Sequence, residues 1–229
     1  MNQKEHWEKV YQDKSPNEVS WYKPHLNLSL DLIVKFAASK DVKIIDVGGG
    51  ASTLADDLLL EGYTHLIVLD ISSEAIQKSK ERLGERADEV TWIETDILRV
   101  DFPQNSFDLW HDRAAFHFLT KPDERKMYIK ALAGSLKPGG FLIIASFSLE
   151  GPLKCSGLDV MRYSSETLSQ ELGNDFLFLE SINERHQTPS GTLQEFIYCI
   201  FKKALNYSWK DERYDYLDWP LRRRNLALS

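Results

Sequence analysis

Asp46 opens a run of small residues, Asp46-Val47-Gly48-Gly49-Gly50-Ala51-Ser52, that follows a short β-rich stretch and precedes a helical one. Glycines between a strand and a helix let a ligand come close to the backbone and permit φ angles that other residues resist. This unit underlies dinucleotide sites and other nucleoside sites alike. Asp70 ends the next apolar run, 20 residues past Gly50. An acid at that distance can accept hydrogen bonds from the two hydroxyls of a ribose, whether of NAD or of another nucleoside. Asp96 follows a third run, in Thr95-Asp96-Ile97, where it could reach an adenine amine. Thr53 stands where the third glycine of the dinucleotide fingerprint belongs, and no Lys or Arg interrupts the glycines. A carboxylate beside the loop repels a pyrophosphate and suits an ammonium or sulfonium. The three acids therefore favour a cationic nucleoside over a phosphorylated one. No GxxxxGK[ST] occurs, which excludes a P-loop nucleotidase.

A second group of candidates follows the fourth apolar run, in Trp110-His111-Asp112-Arg113. His111 could act as a base, and Asp112 could hold a cationic amine. The competing readings are a packed strand-end histidine and a helix-capping aspartate. Arg113 is a candidate substrate contact. His186 precedes a turn-rich segment and is either a substrate contact or an exposed loop residue. Trp21 and Tyr22, with Trp7 and Tyr11 upstream, form an aromatic cluster that could close over a ligand or simply pack. Cys155 and Cys199 have no CxxC partner, so neither a zinc site nor a disulfide framework is expected.

These residues need strands that end at one edge. Lys43–Val47, His65–Asp70, Val90–Ile93, Phe107–His111 and Phe141–Phe147 read as strands. Between them lie helical stretches at Thr53–Glu61, after Ser72 or Ser73, and between Thr120 and Leu136, with Lys137-Pro138-Gly139-Gly140 as a turn. Alternation of this kind predicts a parallel sheet with helices on both faces. Phe176–Ile182 and Leu193–Lys203 are separated by too short a gap for a crossover helix, so they should pair antiparallel. The expectation is one domain: an arm and helix over 1–40, a core over 41–203, and an extension over 204–229, rich in aromatics and charges.

The chain has 229 residues, enough to bury a core without staples. With 28 basic and 35 acidic residues its net charge is −7. That disfavours DNA, whose binding relies on many Lys and Arg at phosphates. No apolar run is long enough to cross a membrane, and the N-terminal MNQKEHWEKVYQDK lacks a leader's apolar core. A cytoplasmic setting is expected.

The runs IIDVGGGAS, LIVLDIS, WIETDI, FDLWHDR and LKPGGFLIIA, in this order, resemble the class I S-adenosylmethionine-dependent methyltransferases. The resemblance covers about residues 40–147 and implies a Rossmann-like α/β fold. Its sheet would have seven strands, mostly parallel, with the last strand antiparallel. It implies S-adenosylmethionine as cofactor, held by Asp46, Gly48, Gly49, Gly50 and Ser52 at the methionine end, Asp70 and Ile71 at the ribose, Asp96 and Ile97 at the adenine, and His111 beside the methyl group. His111 and Asp112 would serve catalysis, and Trp21, Tyr22, Arg113 and His186 the acceptor. Ser52 replaces the commonest glycine of the motif. The segments EHWEKVYQDKSPNEVSWYKPH, KCSGLDVMRYS and ERHQTPSGTLQEFIYC are similar to a bacterial subgroup of these enzymes. WHDR stands where nucleobase and amide N-methyltransferases carry Asn/Asp-Pro-Pro-Tyr/Phe. Asp112–Phe116 faintly resembles the D-K-G-T segment of some protein-lysine methyltransferases, while the arm resembles thiopurine-type enzymes. A small-molecule acceptor is thus slightly favoured over a protein lysine. An NAD(P)-dependent oxidoreductase and a non-catalytic cofactor-binding module remain the readings from other classes.

Overall fold

A computed structural model describes residues 2–37 and 39–205, so nearly all of the C-terminal extension lies outside the described residues. The element order is α1 (Gln3–Asp13), a 3-10 turn (Pro16–Glu18), α2 (Asn27–Phe36), β1 (Lys43–Val47), α3 (Leu54–Leu60), β2 (His65–Asp70), α4 (Ser73–Leu83), β3 (Val90–Glu94), β4 (Phe107–Arg113), a 3-10 turn (Phe116–Phe118), α5 (Pro122–Ser135), β5 (Leu136–Phe147), β6 (Lys154–Cys155), β7 (Leu158–Asp159), α6 (Ser165–Leu172), β8 (Phe176–Gln187) and β9 (Leu193–Lys203). Seven strands form one sheet in the order β3-β2-β1-β4-β5-β9-β8. All neighbours run parallel except β9, which is antiparallel to both β5 and β8.

Both faces of the sheet are covered, which is why its central strands are apolar at nearly every position. On one face α2 and α3 bring Leu32, Ile33, Leu54 and Leu58 against Ile44, Val68 and Ile143. On the other α5 and α6 bring Tyr128, Leu132, Leu168 and Leu172 against Ile45, Trp110 and Ile144. Ser72 is the residue that caps α4, accepting from the Ala75 amide at 3.2 Å, and Gly84 ends the helix at φ +59°. The chain runs from β1 outward to β3, then returns to β4 on the other side of β1. Ligands of open sheets gather outside the carboxyl ends of the strands at such a reversal.

Several elements differ from the expectation. α1 is a helix, where the sequence shows only an aromatic cluster. Asn2 and Glu5 cap it reciprocally, with the Glu5 amide donating to Asn2 Oδ1 at 2.9 Å. β4 runs on through Asp112 and Arg113 instead of ending at His111. β5 starts at Leu136 and carries the expected turn inside it, with Gly139 at φ +78°. β8 continues to Gln187, which places His186 in the ladder opposite Gln194. Lys154–Asp159 is a small hairpin whose corner, Ser156-Gly157, has φ +49° and +80°, the signs of a type I′ turn.

Candidate active site

Gly48, Gly49 and Gly50 are wedged against the residues they serve. A Cβ on Gly49 would lie 2.2 Å from Asp46 Oδ2, and one on Gly50 would lie 2.6 Å from both Asp70 Oδ2 and the Ala75 methyl. Gly48 adds a φ of +75°, which favours glycine outright. The carboxylates therefore fill the space that side chains would take. Asp70 is anchored at both oxygens, accepting from the Gly50 amide at 2.9 Å and the Ser72 amide at 2.8 Å. Burial pushes its pKa up to about 6, although these amides and that of Ile71 pull the other way; the nearby charge of Asp46 adds to the rise.

Asp70 and Ile71 border a cleft that extends to Thr95, Asp96 and Ile97 and encloses about 780 Å³ counted to its open mouth. Asp96 fixes its own loop, accepting from the Leu98 amide at 2.9 Å, and remains partly exposed to the cleft. The opposite wall is the arm. Trp7 packs edge-on against Trp21 and Phe118, and Tyr11 against Trp21, with Trp7, Tyr11 and Trp21 all facing the cleft. Glu8 ties α1 down by accepting from the Ser73 and Glu74 amides and the Ser72 and Ser73 hydroxyls, all at 2.9–3.0 Å. Partial burial works against its charge, but these hydrogen bonds prevail and hold its pKa below the usual range.

A second, smaller cavity adjoins the cleft, sharing Tyr11, Trp21, Gly48 and Arg113 with it. Asp46, Gly49, Ser52, Tyr22, Lys23 and His111 line this side. Ser52 spends its hydroxyl locally, accepting from the Leu54 amide at 3.1 Å. The strand register aligns Asp46 with His111, and Arg113 with Ala145 and then Tyr198. All lie on the face covered by α2, and their side chains form a buried chain of hydrogen bonds. Arg113 Nε donates to Tyr198 Oη at 2.9 Å. Tyr198 and Ser29 are 3.2 Å apart, and Ser29 Oγ is 3.0 Å from His111 Nε2. His111 Nδ1 donates to Asp46 Oδ1 at 2.7 Å. Each hydroxyl donates once if the proton of His111 sits on Nδ1. Asp46 Oδ2 is buried with no partner. Just past Arg113, Ala114 has φ +70°, a conformation rare for alanine and found where function demands a turn.

Three residues singled out from the sequence sit differently from the expectation. Asp112 points away from both cavities. Its Oδ2 accepts from Tyr128 at 2.6 Å, and its oxygens take the Ala115 amide at 2.9 Å and the Phe116 amide at 3.1–3.2 Å. Strand alternation puts it on the face opposite His111, so it holds the turn after β4 and lines neither cavity. His111 has both ring nitrogens engaged and orients Asp46; it is not placed as a free base. His186 is fully buried, bonded through Nε2 to the Ser20 carbonyl at 2.7 Å, and lines neither cavity. Trp21, Tyr22 and Arg113 do line them. Residues that sequence reasoning missed are Ser29, Tyr198 and Glu8. Only the Asn2–Glu5 spacing, a capping signal for α1, could have drawn attention to Glu8.

A model of the methyltransferase domain family matches residues 44–140. The eEF1A lysine and N-terminal methyltransferase of Mus musculus is 28% identical over 52% of this chain and 17% of its own length. The ubiquinone/menaquinone biosynthesis C-methyltransferase of Roseobacter denitrificans is 27% identical over 53% of this chain and 49% of its own length. The chain thus spans under a fifth of the first relative and about half of the second. Among solved structures, the 1,6-didemethyltoxoflavin-N1-methyltransferase of Burkholderia thailandensis, with bound S-adenosylhomocysteine, superimposes with a TM-score of 0.70 at 17% identity, covering 88% of this chain and 87% of that one. The N-methyltransferase NodS of Bradyrhizobium japonicum, also with S-adenosylhomocysteine, gives 0.64 at 18% identity, covering 86% and 97%. Such identities establish the fold. With the family model matched over residues 44–140 and the acid-bordered glycine loop at the sheet reversal, they show a chain with the fold of the class I S-adenosylmethionine-dependent methyltransferases and sequence similarity to their methyltransferase domain.

Proposed function

We propose that this chain binds S-adenosylmethionine and transfers its methyl group to a small-molecule acceptor in the cytoplasm. The observation that carries the reading is the buried, unpartnered Oδ2 of Asp46 beside the glycine loop. It accompanies Asp70 and Asp96 at the two following strand ends. An acid with a spare oxygen suits the ammonium of the cofactor, and no cation of the loop competes for it. Asp70 keeps lone pairs for a ribose, and Asp96 and Ile97 border the place of the adenine. When bound, S-adenosylmethionine supplies a methyl group already activated on a sulfonium. What remains for the protein is alignment and exclusion of water, contributions on the order of 7–11 kcal/mol in well-oriented systems. Trp7, Tyr11 and Trp21 exclude water, and the hydrogen-bond chain from Asp46 to Arg113 sets the alignment. The chain, 1–229, acts as one domain in this reading, with the arm over 1–40 as a lid.

The small-molecule acceptor is favoured by the arm, which lines the cleft with three aromatic rings. A protein-lysine acceptor is the second reading, supported by the eEF1A methyltransferase relatives. An NAD(P) site is disfavoured by Asp46 and Thr53. Calorimetry with S-adenosylhomocysteine and with NAD separates the cofactors: the first should bind and the second should not. Methyl-labelled S-adenosylmethionine, incubated with cell extract split by size, should label the small-molecule fraction. Label confined to protein would replace the first reading with the second.

A further inference from the structure

Arg113 is a buried cation with a donor to spare. Its side chain is 6% exposed, and it lines both cavities. Nε donates to Tyr198, and Nη1 donates to the Trp21 carbonyl at 3.1 Å. Nη2 is buried and makes no hydrogen bond; the Glu184 carboxylate stands 3.7 Å away and is itself paired with Lys23. The guanidinium plane rests on the Phe196 ring, 4.6 Å from its centre. An arginine fixed at three points is pre-organised to receive a planar oxyanion. A buried donor left unmade is costly, so the site gains when an acceptor fills it.

The second cavity offers the cofactor's amino-acid end its own partner, the buried Oδ2 of Asp46 for the ammonium, while Lys23 on the same wall is paired with Glu184. Arg113 stands instead where the two cavities meet, beside Ala114, Phe118, Trp7 and Cys155 of the main cleft. Those neighbours are apolar or aromatic, and burial pushes the Cys155 thiol up to about 11, which keeps it uncharged. The place thus offers one strong oxyanion donor on an apolar wall.

We propose that the methyl acceptor is a small carboxylic acid with an apolar or aromatic body, its carboxylate anchored on Arg113 Nη2. This rests on the methyltransferase reading and narrows its substrate class. The test uses the full chain, wild type, Arg113→Lys and Arg113→Gln. Calorimetry with S-adenosylhomocysteine should give affinities within about twofold across the three, which also shows that the variants fold. A small-molecule cell extract is then resolved on an anion exchanger at pH 7, and each fraction is offered with methyl-labelled S-adenosylmethionine. Acceptor activity should appear in the retained fractions, survive phosphatase, and vanish when carboxyls are amidated. Arg113→Gln should lower it about 100-fold and Arg113→Lys about tenfold. Activity in the unretained fraction, or its loss to phosphatase, overturns the carboxylate. A tenfold weaker S-adenosylhomocysteine complex in a folded Arg113→Gln makes Arg113 a cofactor ligand and also overturns it. Normal cofactor binding with no labelled small molecule removes the small-acid acceptor alone, whereas absence of cofactor binding in the wild type removes the methyltransferase reading itself. If Arg113→Gln does not fold, the amidation and phosphatase arms on the wild type decide.

Discussion

Asp70 and Asp112 show how two buried acids at strand ends serve different ends. Burial pushes each to a pKa of about 6, and hydrogen bonds partly offset that in both. Asp70 lines the cleft, whereas Asp112 has every contact within the fold. Asp70→Asn should therefore weaken S-adenosylmethionine and S-adenosylhomocysteine by about 1.5–3 kcal/mol, the range for hydrogen bonds to a charged group. Calorimetry that finds equal affinity in both proteins removes Asp70 from the ribose. Asp112→Asn should leave that affinity within about twofold and lower stability in urea by about 1–3 kcal/mol, because an amide cannot accept from two backbone amides and Tyr128 as the carboxylate does. Loss of affinity without loss of stability would return Asp112 to the ligand. The spacing of Asp46, Asp70 and Asp96 was legible because each closes an apolar run beside a turn. The orientation of Asp112 was not: both faces of β4 are buried, so the burial pattern carries no period-two signal to tell inward from outward.

At the scale of elements, the core strands could be read from their apolar runs, but α1 could not. Its one buried residue is Tyr11, and the rest of its inner face is the partly buried Trp7 and Val10 with polar side chains. Such a helix is held by a few specific ties, of which Glu8 on the start of α4 is the strongest set. Glu8→Gln removes a charge at a helix N-terminus, worth about 0.3–1 kcal/mol, and weakens four hydrogen bonds. Hydrogen exchange over residues 3–13 should speed up in this variant without cofactor, and slow in the wild type when S-adenosylhomocysteine binds. Protection that ignores both the variant and the ligand would leave α1 as fixed packing instead of a lid. The chain from Asp46 to Arg113 joins β1, α2, β4 and β9, so no local motif announces it. Tyr198→Phe cuts it in the middle and frees Arg113 Nε and Ser29. Turnover should fall by about tenfold or more while S-adenosylhomocysteine affinity changes little, the pattern of lost alignment. Unchanged turnover would show that Arg113 is positioned by Trp21 and Phe196 alone.

The whole molecule carries an opposition between buried acids and buried histidines that decides its pH dependence. Asp70 and Asp112 hold protons up to about pH 6 when folded but release them near pH 4 when unfolded. Between those values the folded state binds more protons, so each acid makes stability fall as pH rises, by about 1 kcal/mol per pH unit. His117 does the reverse. It is fully buried with neither ring nitrogen bonded, and burial first, then the charge of Arg113, drives its pKa down to about 3. The unfolded chain protonates this histidine near pH 6.5, so between about pH 3 and 6.5 stability rises with pH. His186 is lowered too, by burial first, with the Ser20 carbonyl opposing and Arg113 and Lys23 reinforcing, and it acts in the same sense as His117. The wild type should therefore show a shallow profile from pH 4 to 6. Asp112→Asn removes one falling contribution and should tilt urea-derived stability upward with pH over that window, by about 1 kcal/mol per pH unit relative to wild type. His117→Phe keeps an aromatic ring against Phe118 and Phe147 and should tilt it downward by a similar amount. Parallel profiles for all three proteins would mean that Asp112 and His117 titrate alike in the folded and unfolded chain. Opposite tilts would locate the compensation in these two side chains, on either side of the strand end that carries Arg113.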